Sequence, residues 1–205
     1  MSLSRETEVI FDSRRGQDYH SANPPLYDSS TFHQTVLGGN AQYDYARSGN
    51  PNRTLLEEKL ARLEGGKYAF AYASGIAAIT AVLLTLKSDD HVILPDDIYG
   101  GTLRLTEQIL NRFNIKFTTV NATNILEIKN AIQSNTKLIY VETPSNPLFK
   151  ITDIRAVARI AKQNNLLLAV DNTFMTPLGQ SPLALGADIV VPVSYTHLRA
   201  HETGR

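Results

Sequence analysis

Three polar segments that follow apolar runs of the sequence carry groups able to do chemistry. The first is Ala73-Ser74-Gly75-Ile76, where a predicted strand turns directly into an apolar predicted helix. Glycine lets a bulky anion approach the backbone, and the first N–H groups of a helix have no acceptor within it. The segment therefore indicates either a phosphate site at the start of the helix or an ordinary turn that Ser74 caps.

The other two segments supply polar side chains at the ends of later predicted strands. In Glu142–Pro147, two prolines and an asparagine form a rigid loop, although a plain turn uses the same residue types. Asp171 directly follows the apolar run Leu167–Val170, and a carboxylate buried there is costly unless it has a partner. A cationic ring nitrogen would be such a partner, and an aspartate that caps a turn or helix is the alternative.

Metal chemistry and dinucleotide binding find no support in the sequence. His197 and His201 have i, i+4 spacing, but no third ligand accompanies them, so we predict no metal site. The glycine pattern of a dinucleotide-binding loop, G-x-G-x-x-G, is absent.

The composition argues against several further classes of protein. Twenty basic and 20 acidic side chains give zero net charge, which disfavours nucleic acid or an anionic membrane as the main partner. The absence of Cys excludes disulfides and thiolate chemistry and suits a cytoplasmic protein. Met1–Ile10 is too polar for a signal peptide, and no apolar run approaches the length of a membrane span.

The elements that must position these groups alternate between strand and helix. Predicted strands cover residues 68–73, 91–94, 116–120, 138–142, 166–170 and 189–191, and predicted helices cover 53–64, 76–86, 102–113, 125–132 and 151–164. This alternation predicts an α/β fold with a mostly parallel sheet covered by helices on both faces. Because ligands bind at the carboxyl ends of such strands, we expect Gly75 and Asp171 to face one cleft.

Five segments in order resemble the trans-sulfuration family of pyridoxal-phosphate (PLP) enzymes: cystathionine γ-synthase, cystathionine β- and γ-lyases, methionine γ-lyase and related sulfhydrylases. The segments are Tyr43–Pro51, Ala73–Gly75, Asp97–Thr102, Glu142–Pro147 and Val170–Thr173. Within the family, the residues 23–27 and 174–177 favour the bacterial cystathionine β-lyases. The resemblance covers residues 1–191 and implies the large domain of PLP fold type I, in a homotetramer built from dimers that acts on a small amino-acid substrate.

The resemblance also implies roles for individual residues. Tyr99 would stack on the cofactor ring as the catalytic residue, and Asp171 would pair with the ring nitrogen. The N–H groups of Gly75 and Ile76 would hold the cofactor phosphate. Tyr45 and Arg47 would reach the phosphate of the neighbouring subunit. Asn146 would lie near the ring hydroxyl or the substrate carboxylate. The full set of implied cofactor-binding residues is Tyr45, Arg47, Ser74, Gly75, Ile76, Tyr99, Asn146, Asp171 and Thr173. Without the resemblance, the tyrosines would be interpreted as core aromatics and Arg47 as part of a surface salt bridge.

The sequence departs from the family pattern after Gly186–Val191. The family continues with a His-Ser-Ala-Thr-Lys run whose lysine forms the Schiff base, and Thr196 stands at the expected place of that lysine. We interpret 192–205 as a non-family tail, produced by adapter-derived sequence or by a natural frameshift. The predicted organisation is an N-terminal arm (1–50) meant for a partner subunit, an incomplete PLP-binding domain (51–191) and this tail, with the small C-terminal domain absent.

The resemblance implies a carbon–sulfur lyase that cleaves cystathionine to homocysteine, pyruvate and ammonia. Without the Schiff-base lysine, the chain itself is expected to be inactive. Two alternatives stay open: the chemistry of a cystathionine γ-synthase, γ-lyase or O-acylhomoserine sulfhydrylase, and a non-catalytic fragment.

Overall fold

The chain forms two compact units, Met1–Ala71 and Tyr72–Arg205. The computed structural model describes residues 4, 7, 23–34, 36, 38–39 and 41–193. In the first unit, helix α1 spans Pro51–Glu64. Asn50 caps its start by accepting from the N–H of Asn52, and Gly65 ends it in the left-handed conformation, at φ 74°. The helix predicted over 53–64 and its glycine stop are therefore confirmed.

The arm that precedes α1 is attached to the first turn of that helix. Asn52 accepts from the N–H of Tyr27 and donates to the carbonyl of Pro25, both over 2.8 Å. Leu26 between them is 89% exposed. That the arm packs on a partner subunit stays a prediction.

The second unit contains all the strands of the sheet. Its elements are α2 (Gly75–Leu83), β1 (His91–Pro95), α3 (Gly100–Gln108), β2 (Lys116–Val120), α4 (Ile125–Asn130), β3 (Thr136–Glu142), α5 (Ile154–Gln163), β4 (Leu167–Asp171), α6 (Thr176–Gly179) and β5 (Ile189–Val191). Single 3₁₀ turns occupy Leu110–Phe113 and Leu183–Leu185. Among the described residues, no helix is both long and apolar enough to cross a membrane.

The five strands form one parallel sheet in the order β2-β1-β3-β4-β5. The chain moves from β1 to β2 on one side and then crosses to β3 on the other. The direction of winding therefore reverses between β1 and β3, and such a switch point leaves a crevice at the carboxyl ends of the two strands.

Apolar side chains pack on both faces of this sheet, as predicted. On one face, Val141 and Val170 belong to a buried cluster with residues of α4 and α5. On the other face, Tyr140 and Ala169 pack in a cluster with Ile79 of α2. Because alternate residues of a strand point to opposite faces, β3 and β4 are buried along nearly their whole length. This explains why their sequences are continuous apolar runs rather than alternating ones.

The strand predicted over 68–73 is wrong. These residues form no strand, and Tyr68, Phe70 and Tyr72 are 71%, 73% and 49% exposed. A strand needs a neighbour to complete its hydrogen-bond ladder, and none of the strands in the described part of the chain pairs with this segment. Its aromatic, β-favouring composition alone was therefore misleading.

Other predicted boundaries shift for local reasons. The helix predicted over 102–113 begins at Gly100 and stops at Gln108, and a 3₁₀ turn then leads to left-handed Asn114. The helix predicted from residue 151 begins at Ile154, because Asp153 accepts from the N–H of Ala156 and caps it.

Candidate active site at the carboxyl edge of the sheet

The start of α2 is capped by Ser74, as the sequence suggested, although the strand predicted before it does not form. Ser74 has extended backbone angles, and its hydroxyl accepts from the N–H of Ala77 over 3.2 Å. That capping bond leaves the first two helical N–H groups, those of Gly75 and Ile76, without an acceptor inside the helix. Ser74 thus caps the helix, as the interpretation of this segment as an ordinary turn requires. The helix start nevertheless still offers two N–H donors to an anion.

Gly75 lies at the same sheet edge as Asp171. A Cβ placed on Gly75 would lie 2.5 Å from Cγ2 of Val193, the residue two positions after β5. The N–H of Val193 donates to the Thr173 hydroxyl over 3.3 Å, and the N–H of Thr173 donates to Oδ1 of Asp171 over 3.0 Å. This continuous set of contacts confirms that the helix start and the aspartate share one edge.

Asp171 is a buried acid with neutral hydrogen-bond donors. It ends β4, is 5% exposed, and its Oδ2 accepts from the hydroxyl of Tyr140 over 3.1 Å. Burial raises the pKa of Asp171, although hydrogen bonds from Thr173 and Tyr140 partly oppose the rise. Within the described residues, no lysine or arginine forms an ion pair with it. A cationic group of a ligand would offset the cost of burying this carboxylate.

Tyr140 is a site residue that the sequence analysis missed. Its side chain is fully buried, and burial together with the nearby carboxylates raises its pKa well above the ordinary value of a tyrosine. The available signal was a phenol within an otherwise apolar strand, because a buried tyrosine hydroxyl usually needs a partner. That signal does not say which partner, since Asp171 lies 31 residues further along the chain.

Tyr99 and Asn146 lie in the loops that follow β1 and β3. Tyr99 precedes the first residue of α3 and is 46% exposed, and its N–H donates to Oε2 of Glu142 over 2.8 Å. Asn146 is half-buried, and its N–H also donates to the Glu142 carboxylate. Glu142 ends β3 directly beside Asp171, with which it is in register. The structure therefore brings Tyr99, Asn146 and Asp171 to one edge, as the strand-end positions predicted for Asn146 and Asp171 and the resemblance implied for Tyr99.

Glu142 has a pKa well above the usual value of a glutamate. Burial is the main cause that raises its pKa to about 7, and the neighbouring acids Asp171 and Asp97 add to the rise. The N–H groups of Tyr99 and Asn146 act in the opposite direction, because they stabilise the carboxylate.

A second hydrogen-bond group joins the same two loops. The Ser145 hydroxyl donates to Asp97 and accepts from the N–H of Lys150 over 2.9 Å. The Lys150 ammonium pairs with Asp96 over 3.0 Å. These contacts cross the point where the sheet order reverses, so they brace the crevice expected there.

Tyr45 and Arg47 belong to the first unit. The guanidinium of Arg47 donates to the Tyr45 hydroxyl over 3.1 Å and lies 5.5 Å from the centre of its ring. Tyr45 is 40% exposed, so the alternative interpretation as a core aromatic is wrong for this residue, as it is for Tyr99. Their predicted contact with a neighbouring subunit stays a prediction.

Several predicted features lie outside the described residues. They include Thr196, at the place expected for the Schiff-base lysine, and the pair His197 and His201. In the part of the chain that the structure describes, no group of three or more His, Asp or Glu side chains is arranged to hold a metal ion.

The fold and the edge together define a class: a doubly wound α/β domain with a ligand site at a topological switch point. The chain belongs to the family of Cys/Met metabolism PLP-dependent enzymes, whose model matches residues 6–204. The matched span includes most of the segment interpreted as a non-family tail, and that interpretation stays a prediction.

Individual relatives agree with this family assignment. The chain is 82% identical over 201 residues to "Cystathionine beta-lyase MetC" of Staphylococcus haemolyticus, a match that covers 98% of the chain and 51% of the relative. It is 46% identical to "Cystathionine gamma-lyase" of Bacillus subtilis, over 97% of the chain and 53% of the relative. The crystal structure of cystathionine gamma-lyase from Lactobacillus plantarum with L-serine superposes with a TM-score of 0.85 at 44% identity, over 92% of the chain and 49% of that protein. The chain thus spans about half the length of these relatives.

Proposed function

We propose that the chain is the cofactor-binding part of a PLP-dependent carbon–sulfur lyase of the cystathionine β-lyase type. The observation that carries the proposal is the buried Asp171, which has no cationic partner among the described residues and shares an edge with a helix start. An anion-binding group and a cation-binding group side by side suit a ligand that carries a phosphate and a protonated ring nitrogen. The 82% identity to a relative named as a cystathionine beta-lyase supports the substrate class.

The residues present fit this cofactor. The N–H groups of Gly75 and Ile76 would bind its phosphate, and Asp171 would hold a proton on its ring nitrogen. Tyr99 would cover one face of the ring, and Asn146 would bind the ring hydroxyl or the substrate carboxylate. Bound PLP supplies an aldehyde that condenses with amines and a ring that accepts electrons from the substrate's α-carbon.

The remaining residues orient these groups. Tyr140 and Thr173 donate to the two oxygens of Asp171 and hold its carboxylate in one direction. The exposed pair Tyr45 and Arg47 would bind the phosphate held by a neighbouring subunit, because a guanidinium grips phosphate oxygens in bidentate fashion. The intact enzyme would on this view be a cytoplasmic homotetramer built from dimers.

The 205-residue chain itself would bind the cofactor without catalysing elimination. No lysine occurs after Lys162, and a hydroxyl such as that of Thr196 cannot condense with an aldehyde to an imine. The same lysine would move the proton at the substrate's α-carbon, so its loss removes the general base as well.

The proposal is tested on the purified chain with two forms of the cofactor. Pyridoxamine 5′-phosphate, which has no aldehyde, should bind in a fluorescence titration. PLP followed by borohydride reduction, digestion and mass spectrometry should show no lysine labelled in preference to the others, and cystathionine should release no thiol. Specific labelling of one lysine together with thiol release would refute the prediction that the chain is inactive. If neither form of the cofactor binds, the proposed cofactor site is refuted.

The 46% identity to a cystathionine gamma-lyase favours a second candidate reaction, cleavage of the other carbon–sulfur bond. A chimera in which residues 1–191 replace the matching part of the Staphylococcus haemolyticus relative separates the two. Pyruvate as the keto-acid product indicates β-cleavage, and 2-oxobutanoate indicates γ-cleavage.

A further inference from the structure

We propose that Glu142 is a positioning residue whose carboxylate holds Tyr99 and Asn146 in place over the carboxyl edge of the sheet. The inference deepens the proposed function and rests on it for the meaning of Tyr99 and Asn146, but the contacts themselves do not depend on any cofactor.

Glu142 joins two loops that are distant in sequence. Its Oε2 accepts from the N–H of Tyr99, 43 residues earlier, and its carboxylate also accepts from the N–H of Asn146 in the loop directly after β3. The two loops follow β1 and β3, the neighbouring strands between which the winding reverses. Glu142 therefore contacts both sides of the crevice, in addition to the bond between Ser145 and Asp97 that joins the same loops.

The ring of Tyr99 depends on this anchoring. Tyr99 has no side-chain capping bond at the start of α3, and nearly half of its surface is exposed. A Cβ added to Gly101 would collide with Cε1 of the Tyr99 ring, so the ring lies directly against the backbone of the first helical turn. The Glu142 bond to the backbone and the close contact at Gly101 are two restraints on the direction of the ring.

A carboxylate suits this task better than a neutral side chain. A carboxylate offers two charged acceptor oxygens to the N–H donors, whereas the amide of a glutamine offers one neutral acceptor oxygen and two N–H donors of its own. A negative charge at this position is electrostatically unfavourable, because Glu142 is buried beside the acids Asp171 and Asp97 and the phenol of Tyr140. The nearby Lys150 pairs with Asp96 instead. Above its pKa of about 7 the group carries its charge in spite of these surroundings, and there a carboxylate accepts more strongly from N–H donors than a neutral amide would.

The contacts are tested by NMR on the ¹⁵N-labelled chain without any cofactor. We expect the amide protons of Tyr99 and Asn146 to shift together with a midpoint near the Glu142 pKa of about 7. In Glu142→Gln that titration should disappear, and the Tyr99 amide should exchange with solvent roughly tenfold faster, as expected when one hydrogen bond is lost. The matched control is Glu107→Gln, which makes the same chemical change at an exposed position of α3.

The functional consequence is measured separately with pyridoxamine 5′-phosphate. Its dissociation constant should rise about tenfold in Glu142→Gln and stay unchanged in Glu107→Gln, because a misplaced Tyr99 loses most of one contact. Unchanged affinity in Glu142→Gln, or Tyr99 and Asn146 amides that still titrate in that variant, would overturn the inference.

The design separates this inference from the proposed function. A wild-type chain that fails to bind pyridoxamine 5′-phosphate refutes the cofactor site, while the amide titration still decides whether Glu142 holds the two loops. If Glu142→Gln does not fold, as judged by circular dichroism, the wild-type titration decides by itself, and amides that do not shift together overturn the inference.

Discussion

The two ends of the sheet both bury polar side chains, but they do so in opposite ways. Toward the amino ends of the strands, His91 is 1% exposed, with Nδ1 2.8 Å from the Thr136 hydroxyl and Nε2 2.9 Å from that of Thr118. Gln133 completes the group at 3.2 Å from Nε2. Every partner is neutral, and burial lowers the pKa of His91, so the uncharged imidazole is the form that this network suits.

The carboxyl ends hold acids instead. Asp171 and Glu142 are in register on neighbouring strands, burial raises the pKa of both, and their donors are backbone N–H groups and hydroxyls. Buried polarity alone therefore does not mark a functional site. A neutral network is complete without a ligand, whereas buried acids without a counter-charge leave an electrostatic cost that a ligand can offset.

The largest expected effect is a pH dependence of the free energy of unfolding that arises from Glu142 at the carboxyl edge. The folded-state pKa of Glu142, about 7, lies above its usual 4.5. The folded chain therefore binds the proton more tightly between these values, and the stabilisation present below pH 4.5 is lost as pH rises through 7. Converted by linkage, the loss is roughly 3 kcal/mol. Urea unfolding at pH 5 and pH 8 measures the difference in unfolding free energy between the two pH values. Glu142→Gln should remove most of this difference. The control variant Glu107→Gln should show the same difference as the wild type.

Asp171→Asn should affect ligand binding and stability in opposite directions. The asparagine keeps an oxygen for the N–H of Thr173 but has no charge for a ring nitrogen. We expect binding of pyridoxamine 5′-phosphate to weaken about thirtyfold, or about 2 kcal/mol, the scale of a hydrogen bond to a charged group. The free energy of unfolding should rise or stay constant at pH 8. Asp188→Asn makes the same change at the amino edge, where Asp188 accepts from the N–H of Leu168, and should leave binding intact; equal losses in both variants would contradict the comparison.

Gly75→Ala tests the close contact that joins α2 to the edge. The new methyl group would meet Cγ2 of Val193 at 2.5 Å, and the stiff valine side chain cannot yield without a backbone shift. We expect a loss of about 1–2 kcal/mol in urea unfolding, together with weaker anion binding. The control is Gly100→Ala at the first position of α3, where the nearest atom is 3.7 Å away. A Gly75→Ala chain as stable as that control would show that the contact is not tight.

The smallest expected effect is a pH dependence of stability that arises from His91 at the amino edge and has the opposite sign to that of Glu142. Because the folded-state pKa of His91 lies below its usual 6.5, the stability that the neutral ring contributes is full above pH 6.5 and falls as pH drops below it. The effect should be smaller than that of Glu142. It is measured by comparing Glu142→Gln with the double variant Glu142→Gln/His91→Gln between pH 7.5 and 5.5. Identical slopes in the two chains would show that His91 does not contribute.

Much of the edge could be predicted from the sequence because the relevant signals are local. Apolar runs of strand length between helical periodicities predict a parallel sheet, and the positions directly after those runs must meet at its carboxyl edge. This reasoning placed Asn146 and Asp171 together, and it placed Gly75 at the same edge, although on the basis of a strand over 68–73 that does not form. It failed for residues 68–73, where a strand-like composition has no neighbouring strand to pair with among the described residues.

The sequence by itself therefore determined the alternation of elements, the helix cap at Ser74 and the edge at which the polar segments meet. Only the tertiary structure decided that Tyr140 donates to Asp171 and that Glu142 holds Tyr99, because these pairs lie 31 and 43 residues apart. Such contacts depend on strand order and register rather than on spacing along one element. The same packing decided which buried polar groups form a complete neutral network and which acids have no counter-charge among the described residues.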